Sequence, residues 1–164
     1  QAPRAGSDGR IRPGGRVKRR LASVLILWAT VAGAVDTPPS TELPELSAIR
    51  AQIYSGEYDT ALAELTALSE TVRHADLYNL LGYTTRQLGH YEASARWYRE
   101  ALYYDPTHRP ALEYQGELFL QMGDLGSARN NLALLGLFCP EGCTERDTLA
   151  RKIAEHQKGQ AAGS

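Results

Sequence analysis

A segment of this chain is written twice at a spacing of 34 residues: Gly89, Tyr91, Tyr98, Ala101 and Pro106 recur as Gly123, Leu125, Leu132, Leu135 and Pro140. A fixed period of that length marks a helical repeat, each unit a pair of helices too small to bury its own apolar face. Such units must stack, and a stack offers a long surface to other molecules. The period therefore predicts an all-α solenoid that works by binding. Helix breaks are expected at Gly56, at Val72 to His74, at Gly89, at Asp105-Pro106, at Gly123 and across Cys139 to Cys143, and the pattern holds no convincing strand.

Ahead of the repeats the composition changes. Residues 1–20 hold seven basic side chains (Arg4, Arg10, Arg12, Arg16, Lys18, Arg19, Arg20) against one acid, Asp8, and have almost nothing to bury. The uncharged run Leu21 to Ala34 follows, short for a membrane span of about 20 residues and ending in Ala32-Gly33-Ala34. A basic stretch, an apolar stretch and a small-x-small site in that order predict a signal peptide over 1–34, cleaved after Ala34, with export to the periplasm by the general secretory route. The alternative is the same segment kept as an inner-membrane anchor. Residues 1–15 are long for the basic region of a signal and are set aside from the fold. With three prolines, residues 35–45 read as a flexible tether, 46–157 as the folded domain and 158–164 as a disordered tail.

Charge divides the same way. The chain totals −1, and residues 1–20 contribute +6, so the remainder carries −7. Nucleic acid is excluded as a ligand, because phosphate binding rests on Lys and Arg. An anionic membrane surface is excluded as a primary ligand on the same ground.

The recurring residues resemble the tetratricopeptide repeat family. In residues 75–108, Tyr78, Leu81-Gly82, Leu88-Gly89, Tyr91, Tyr98, Ala101 and Asp105-Pro106 stand at the family's positions, with Ser94 in place of its usual alanine. Residues 109–142 repeat the pattern through Leu112, Gln115-Gly116, Phe119, Gly123, Leu125, Ala128, Leu132 and Pro140. A degenerate first copy over roughly 42–74 is marked by Gly56 to Leu62 and by Leu65, its first helix lacking the expected Gly and aromatic. About three repeats are expected. Thr144-Glu-Arg-Asp147 reads as a capping box that opens a final helix over 144–157, with Leu149, Ala150, Ile153 and Ala154 as its apolar stripe, a cap for the last repeat.

The resemblance implies a concave groove lined by the first helix of each repeat and occupied by a peptide or helix of a partner protein. On the second copy the groove positions are Asp76, Asn79, Tyr83, Arg86 and Gln87; on the third they are Pro110, Glu113, Glu117, Leu120 and Gln121. Asn79 and Arg86 are the candidates for a peptide backbone or carboxylate, and Tyr83 for contact area. Asp76, Glu113 and Glu117 favour a neutral or basic segment. The competing expectation for all of them is a solvated helix face. Trp97 and Tyr103 stand apart as candidates for a convex contact.

Cys139 and Cys143 are the only cysteines, in Cys-Pro-Glu-Gly-Cys. Three readings compete: a disulfide in an oxidising compartment, a thiol pair for redox work or a soft metal, and two unlinked thiols in packing. His74, His90, His108 and His156 show no ligand spacing, so no metal and no cofactor is expected. A phosphate loop, a nucleophile elbow and an acid–base pair are all missing from the pattern, and the expectation is a non-enzymatic adaptor or scaffold, with thiol chemistry at Cys139 and Cys143 as the alternative.

Overall fold

The computed structural model describes residues 39–162, and these form seven α-helices: α1 Ser47–Tyr54, α2 Tyr58–Thr71, α3 Ala75–Gln87, α4 Tyr91–Tyr104, α5 Arg109–Gln121, α6 Leu125–Phe138 and α7 Thr144–Ala162. The signal peptide expected over 1–34 and the first residues of the tether lie outside the described residues, as do residues 163–164. Helices pair in sequence order, α1 with α2, α3 with α4 and α5 with α6, and each second helix also packs on the helix that follows it. That is three helical hairpins stacked in a row with α7 laid against α5 and α6.

The three hairpin turns are the same turn. Gly56, Gly89 and Gly123 adopt φ of +79°, +79° and +80°, left-handed values that a side chain disfavours. Helix starts are capped by two kinds of side chain. His74 Nδ1 accepts from the Asp76 amide and His108 Nδ1 from the Ala111 amide, so two imidazoles cap α3 and α5. Asp124 caps α6 by accepting from the Ser127 amide at 2.9 Å.

Two glycines at one repeat position set the helix spacing. A Cβ on Gly82 would stand 2.5 Å from Tyr98 Cε1, and one on Gly116 would stand 2.6 Å from Leu149 Cδ2. Tyr98 of α4 is fully buried against Gly82. Ser94, the departure from the usual alanine, is also buried and donates to the Gly82 carbonyl at 2.7 Å, so its hydroxyl is satisfied inside the hairpin. In the third repeat the space beside Gly116 is filled by Leu149 of α7.

Buried side chains form two clusters. The first joins α1 to α5, with Ile49, Leu65, Leu77, Leu81, Tyr98 and Leu118 among its members; the second joins α5, α6 and α7 through Leu112, Ala128, Leu135, Leu149 and Ile153. Between α5 and α6, buried Asn131 donates to the Leu112 carbonyl and to Gln115 Oε1, both at 3.0 Å.

Three boundaries differ from expectation. Ser40, inside the expected tether, pairs with Val72: its amide donates to the Thr71 carbonyl at 2.8 Å and its carbonyl accepts from the Arg73 amide at 2.7 Å. The chain there satisfies backbone groups left open where α2 ends. Thr144 is the first helical residue and not a cap, because Cys143 precedes it and its carbonyl accepts from the Asp147 amide. Finally α7 runs to Ala162, past the end expected at Gln157, since no proline or left-handed glycine stops it and i,i+4 contacts such as Arg151–Glu155 and His156–Gln160 support its outer turns. Among the described residues no helix is long and apolar enough to cross a membrane.

Candidate functional site

The first helices of the hairpins, with α7 after them, carry two clefts. The upstream one, about 340 Å³, is walled by Arg50, Ile53 and Tyr54 of α1, Tyr58 at the start of α2, Leu80 and Tyr83 of α3, and Tyr114 of α5. Four tyrosines make it a largely aromatic surface, and Tyr54 is 94% exposed at its edge. The downstream cleft, about 320 Å³, is lined by Arg86, Glu117, Leu120, Gln121, Lys152, Glu155 and His156, and so spans α3, α5 and α7.

A packed polar cluster separates the two. Tyr83 and Tyr114 meet with ring centroids 5.1 Å apart and planes inclined at 58°. The Arg86 guanidinium lies 5.4 Å from the Tyr83 centroid and 5.8 Å from that of Tyr114, a cation–π contact to both. Its NH1 donates to Glu117 Oε2 at 2.8 Å. Burial opposes the Arg86 charge, but Tyr98 and Glu117 outweigh it and hold the guanidinium pKa above its ordinary value. Burial also raises the phenols of Tyr83 and Tyr114, which are therefore uncharged walls at neutral pH.

The expected groove residues divide by what they touch. Asn79 and Arg86, named for a peptide backbone, are 3% and 5% exposed, so neither is a solvated face. Their side chains keep unmet capacity: Asn79 Oδ1 and Arg86 Nε are buried with no hydrogen-bond partner among the described residues. Asp76 is engaged by Arg50 at 3.3 Å and by His108 Nε2 at 3.5 Å. Glu117 is engaged by Arg86. Glu113 is buried, and its carboxyl is pushed up to about 7 by burial first and then by Glu117 and Glu145. The three acids that suggested a negative groove are thus paired or partly neutral. Tyr83 lines the upstream cleft and Leu120 and Gln121 the downstream one, while Gln87 stands exposed and Pro110 sits in the first turn of α5.

Sequence reasoning missed Arg50, Tyr54 and Tyr58 because the first repeat is degenerate, α1 having 8 residues where α3 and α5 have 13, and missed Tyr114 of α5 because its contact with Tyr83 arises only when the second and third hairpins stack. The signal available was the pair Tyr54 and Tyr58 around the turn at Gly56. Lys152 and His156 were missed because α7 was read only as a cap; their i,i+4 spacing, off the Leu149–Ile153 stripe, marks a second usable face.

The Cys139 and Cys143 sulfurs are 2.10 Å apart, a disulfide, and Arg146 NH1 donates to the Cys139 and Pro140 carbonyls at 3.1 and 3.2 Å. No free thiol remains among the described residues. The bond closes the turn between α6 and α7.

The tetratricopeptide repeat family model matches residues 75–108, the hairpin of α3 and α4. No curated protein matches the chain in sequence. Two chains are among the solved structures that share its fold. One is a chain of a T3SS complex from Aeromonas hydrophila, 19% identical with a TM-score of 0.58, the match covering 71% of this chain and 78% of that one. The other is a chain of the crystal structure of PcrH in complex with the chaperone binding region of PopD, 23% identical with a TM-score of 0.58, covering 76% of this chain and 98% of that one. At those identities the likeness is one of fold.

Proposed function

We propose, from the tetratricopeptide repeat match over residues 75–108 and the stacked hairpins around it, that the chain is a non-enzymatic binding module that holds an extended or helical segment of a partner protein along the α1, α3, α5 and α7 face. The observation that carries this is the upstream cleft, where four tyrosines from four helices converge on one open cavity. Tyrosine offers large contact area at small entropic cost and is enriched at binding hot spots. Tyr54, almost wholly exposed, is covered by nothing among the described residues. The fold neighbour PcrH, in complex with the chaperone binding region of PopD, supports the reading that such a stack can hold a partner segment.

The lining side chains refine the partner. The tyrosine rings with Ile53 and Leu80 suit aromatic or apolar side chains, the tyrosine hydroxyls and Arg50 suit polar groups of the same segment, and Lys152 and His156 beside Gln121 give the downstream end polar side chains. Export to the periplasm belongs to this proposal, and the Cys139–Cys143 bond supports it, since disulfides persist in oxidising compartments.

Site-specific photo-crosslinking in the producing cell tests the groove. A crosslinking residue at Tyr54 or Tyr83 is expected to trap a partner, and the same residue at Tyr103, 78% exposed on α4, is expected to trap none of it. Trapping from Tyr103 alone would sink the proposal.

A further inference from the structure

α6 is on average the most apolar of the seven helices. It nevertheless buries only Ala128, Asn131 and Leu135 fully. Its open face carries Gly126, Asn130, Ala133 and Leu137 at steps of four, three and four residues, with Leu134 and Phe138 beside them, all exposed. Leu137 is 74% exposed. Alternating steps of four and three give the 3.5-residue period of a helix–helix seam.

Two properties of the seam choose its occupant. The first is charge: residues 21–164 carry −7, but the only charged residue of α6 is Arg129, beside the seam and not on it. An acidic or basic partner would find no counter-charge along it, and a lipid surface would find no lysine or arginine there to hold its headgroups. The seam itself carries no charge that a second copy would have to meet with its like. The second property is shape. Gly126 and Ala133 leave the first half of the seam low on either side of Asn130, and the large Leu134, Leu137 and Phe138 occupy the second. A Cβ on Gly126 would meet only Asp124 of its own chain, at 3.5 Å, so that end is open. Turned antiparallel, two copies set each large half on the other's small half, the self-complementarity that a two-fold interface requires.

We propose that α6 is a self-association surface, pairing antiparallel with α6 of a second copy through Gly126, Asn130, Ala133, Leu134, Leu137 and Phe138. With 14 residues the helix is about 21 Å long. A contact of that length buries on the order of 800–1,000 Å² in all, below the size of stable specific interfaces and within that of weak, transient ones, so the dimer is weak and reversible and is to be sought over roughly 10–100 μM. It uses no residue of the tyrosine cleft and stands or falls separately from the groove.

Sedimentation equilibrium of the full chain across that concentration range tests it, alongside Leu137→Glu and, as a control, Tyr54→Glu. The expected result is a reversible dimer for the unaltered chain and for Tyr54→Glu, and association at least tenfold weaker for Leu137→Glu with an unchanged circular dichroism melt. Leu134→Glu is the second seam variant, expected to weaken association in the same way. An unaltered chain that stays monomeric, or that engages vesicles or a foreign helix through α6 in place of itself, overturns the proposal. So does a dimer that survives both seam variants.

Discussion

Glu113 is the residue whose chemistry depends most on its surroundings. Burial, then the neighbouring Glu117 and Glu145, moves its carboxyl from the ordinary 4.5 to about 7. Between those two values the folded chain holds a proton that the unfolded chain has released, so stability falls as pH rises through the interval. Below pH 4.5 Glu113 costs nothing; above pH 7 the folded state carries a buried charge. Glu113→Gln is therefore expected to match the unaltered protein near the lower of those values and to be more stable by about 1–2 kcal/mol above the higher one, in urea titrations on either side of the interval. Equal stability at both would refute this account. The residue also shows where the sequence is opaque. The repeat register implied a groove position for it on α5, but not its burial, which the stacking of the hairpins and α7 decides. Asn79 and Arg86 likewise stand on α3, as the register implied, with a burial the register did not reveal. The Arg86–Glu117 pair joins residues 31 apart, whose approach is set by the stacking of hairpins.

At the scale of elements, the helices and their turns were legible almost throughout, because Gly89, Gly123 and the residues around Pro106 enforce their geometry locally. What the sequence left open was which partner each face meets. Gly82 and Gly116 illustrate the gap: they share a repeat position, yet one receives the ring of Tyr98 from its own hairpin and the other Leu149 from the cap. Alanine at either site gains about 1 kcal/mol of helix propensity and loses more to the contact. Gly82→Ala and Gly116→Ala are each expected to lower stability by about 1–3 kcal/mol in denaturant titration. Gly136→Ala, where a Cβ meets nothing within 4 Å, is expected to raise it slightly. A stabilised Gly82→Ala would show that the hairpins are less tightly drawn together than their spacing indicates. The end of α7 was the least legible boundary, since propensity alone says little about how far an exposed helix continues.

For the whole molecule, the period announced the architecture and the two clusters of buried side chains set its cohesion. Thirteen buried residues hold the first and six the second. Amides of α6 and α7 are accordingly expected to exchange through openings about 1–3 kcal/mol smaller than those of α3 and α4, measured by native-state hydrogen exchange. Uniform protection from α3 to α7 would contradict this and make the stack one cooperative block.

The division into two cores also has a direction in time. The last buried member of the first is Leu118 and that of the second is Ile153. A ribosome adding roughly 5–20 residues each second takes about 2–7 s over the interval, and helical hairpins close in well under that. A half-made chain therefore possesses a finished front and an α5 whose Leu112 and Leu120 still await the buried residues of α6 and α7. Order of synthesis thus leaves those two leucines only partly covered for a few seconds in every nascent chain.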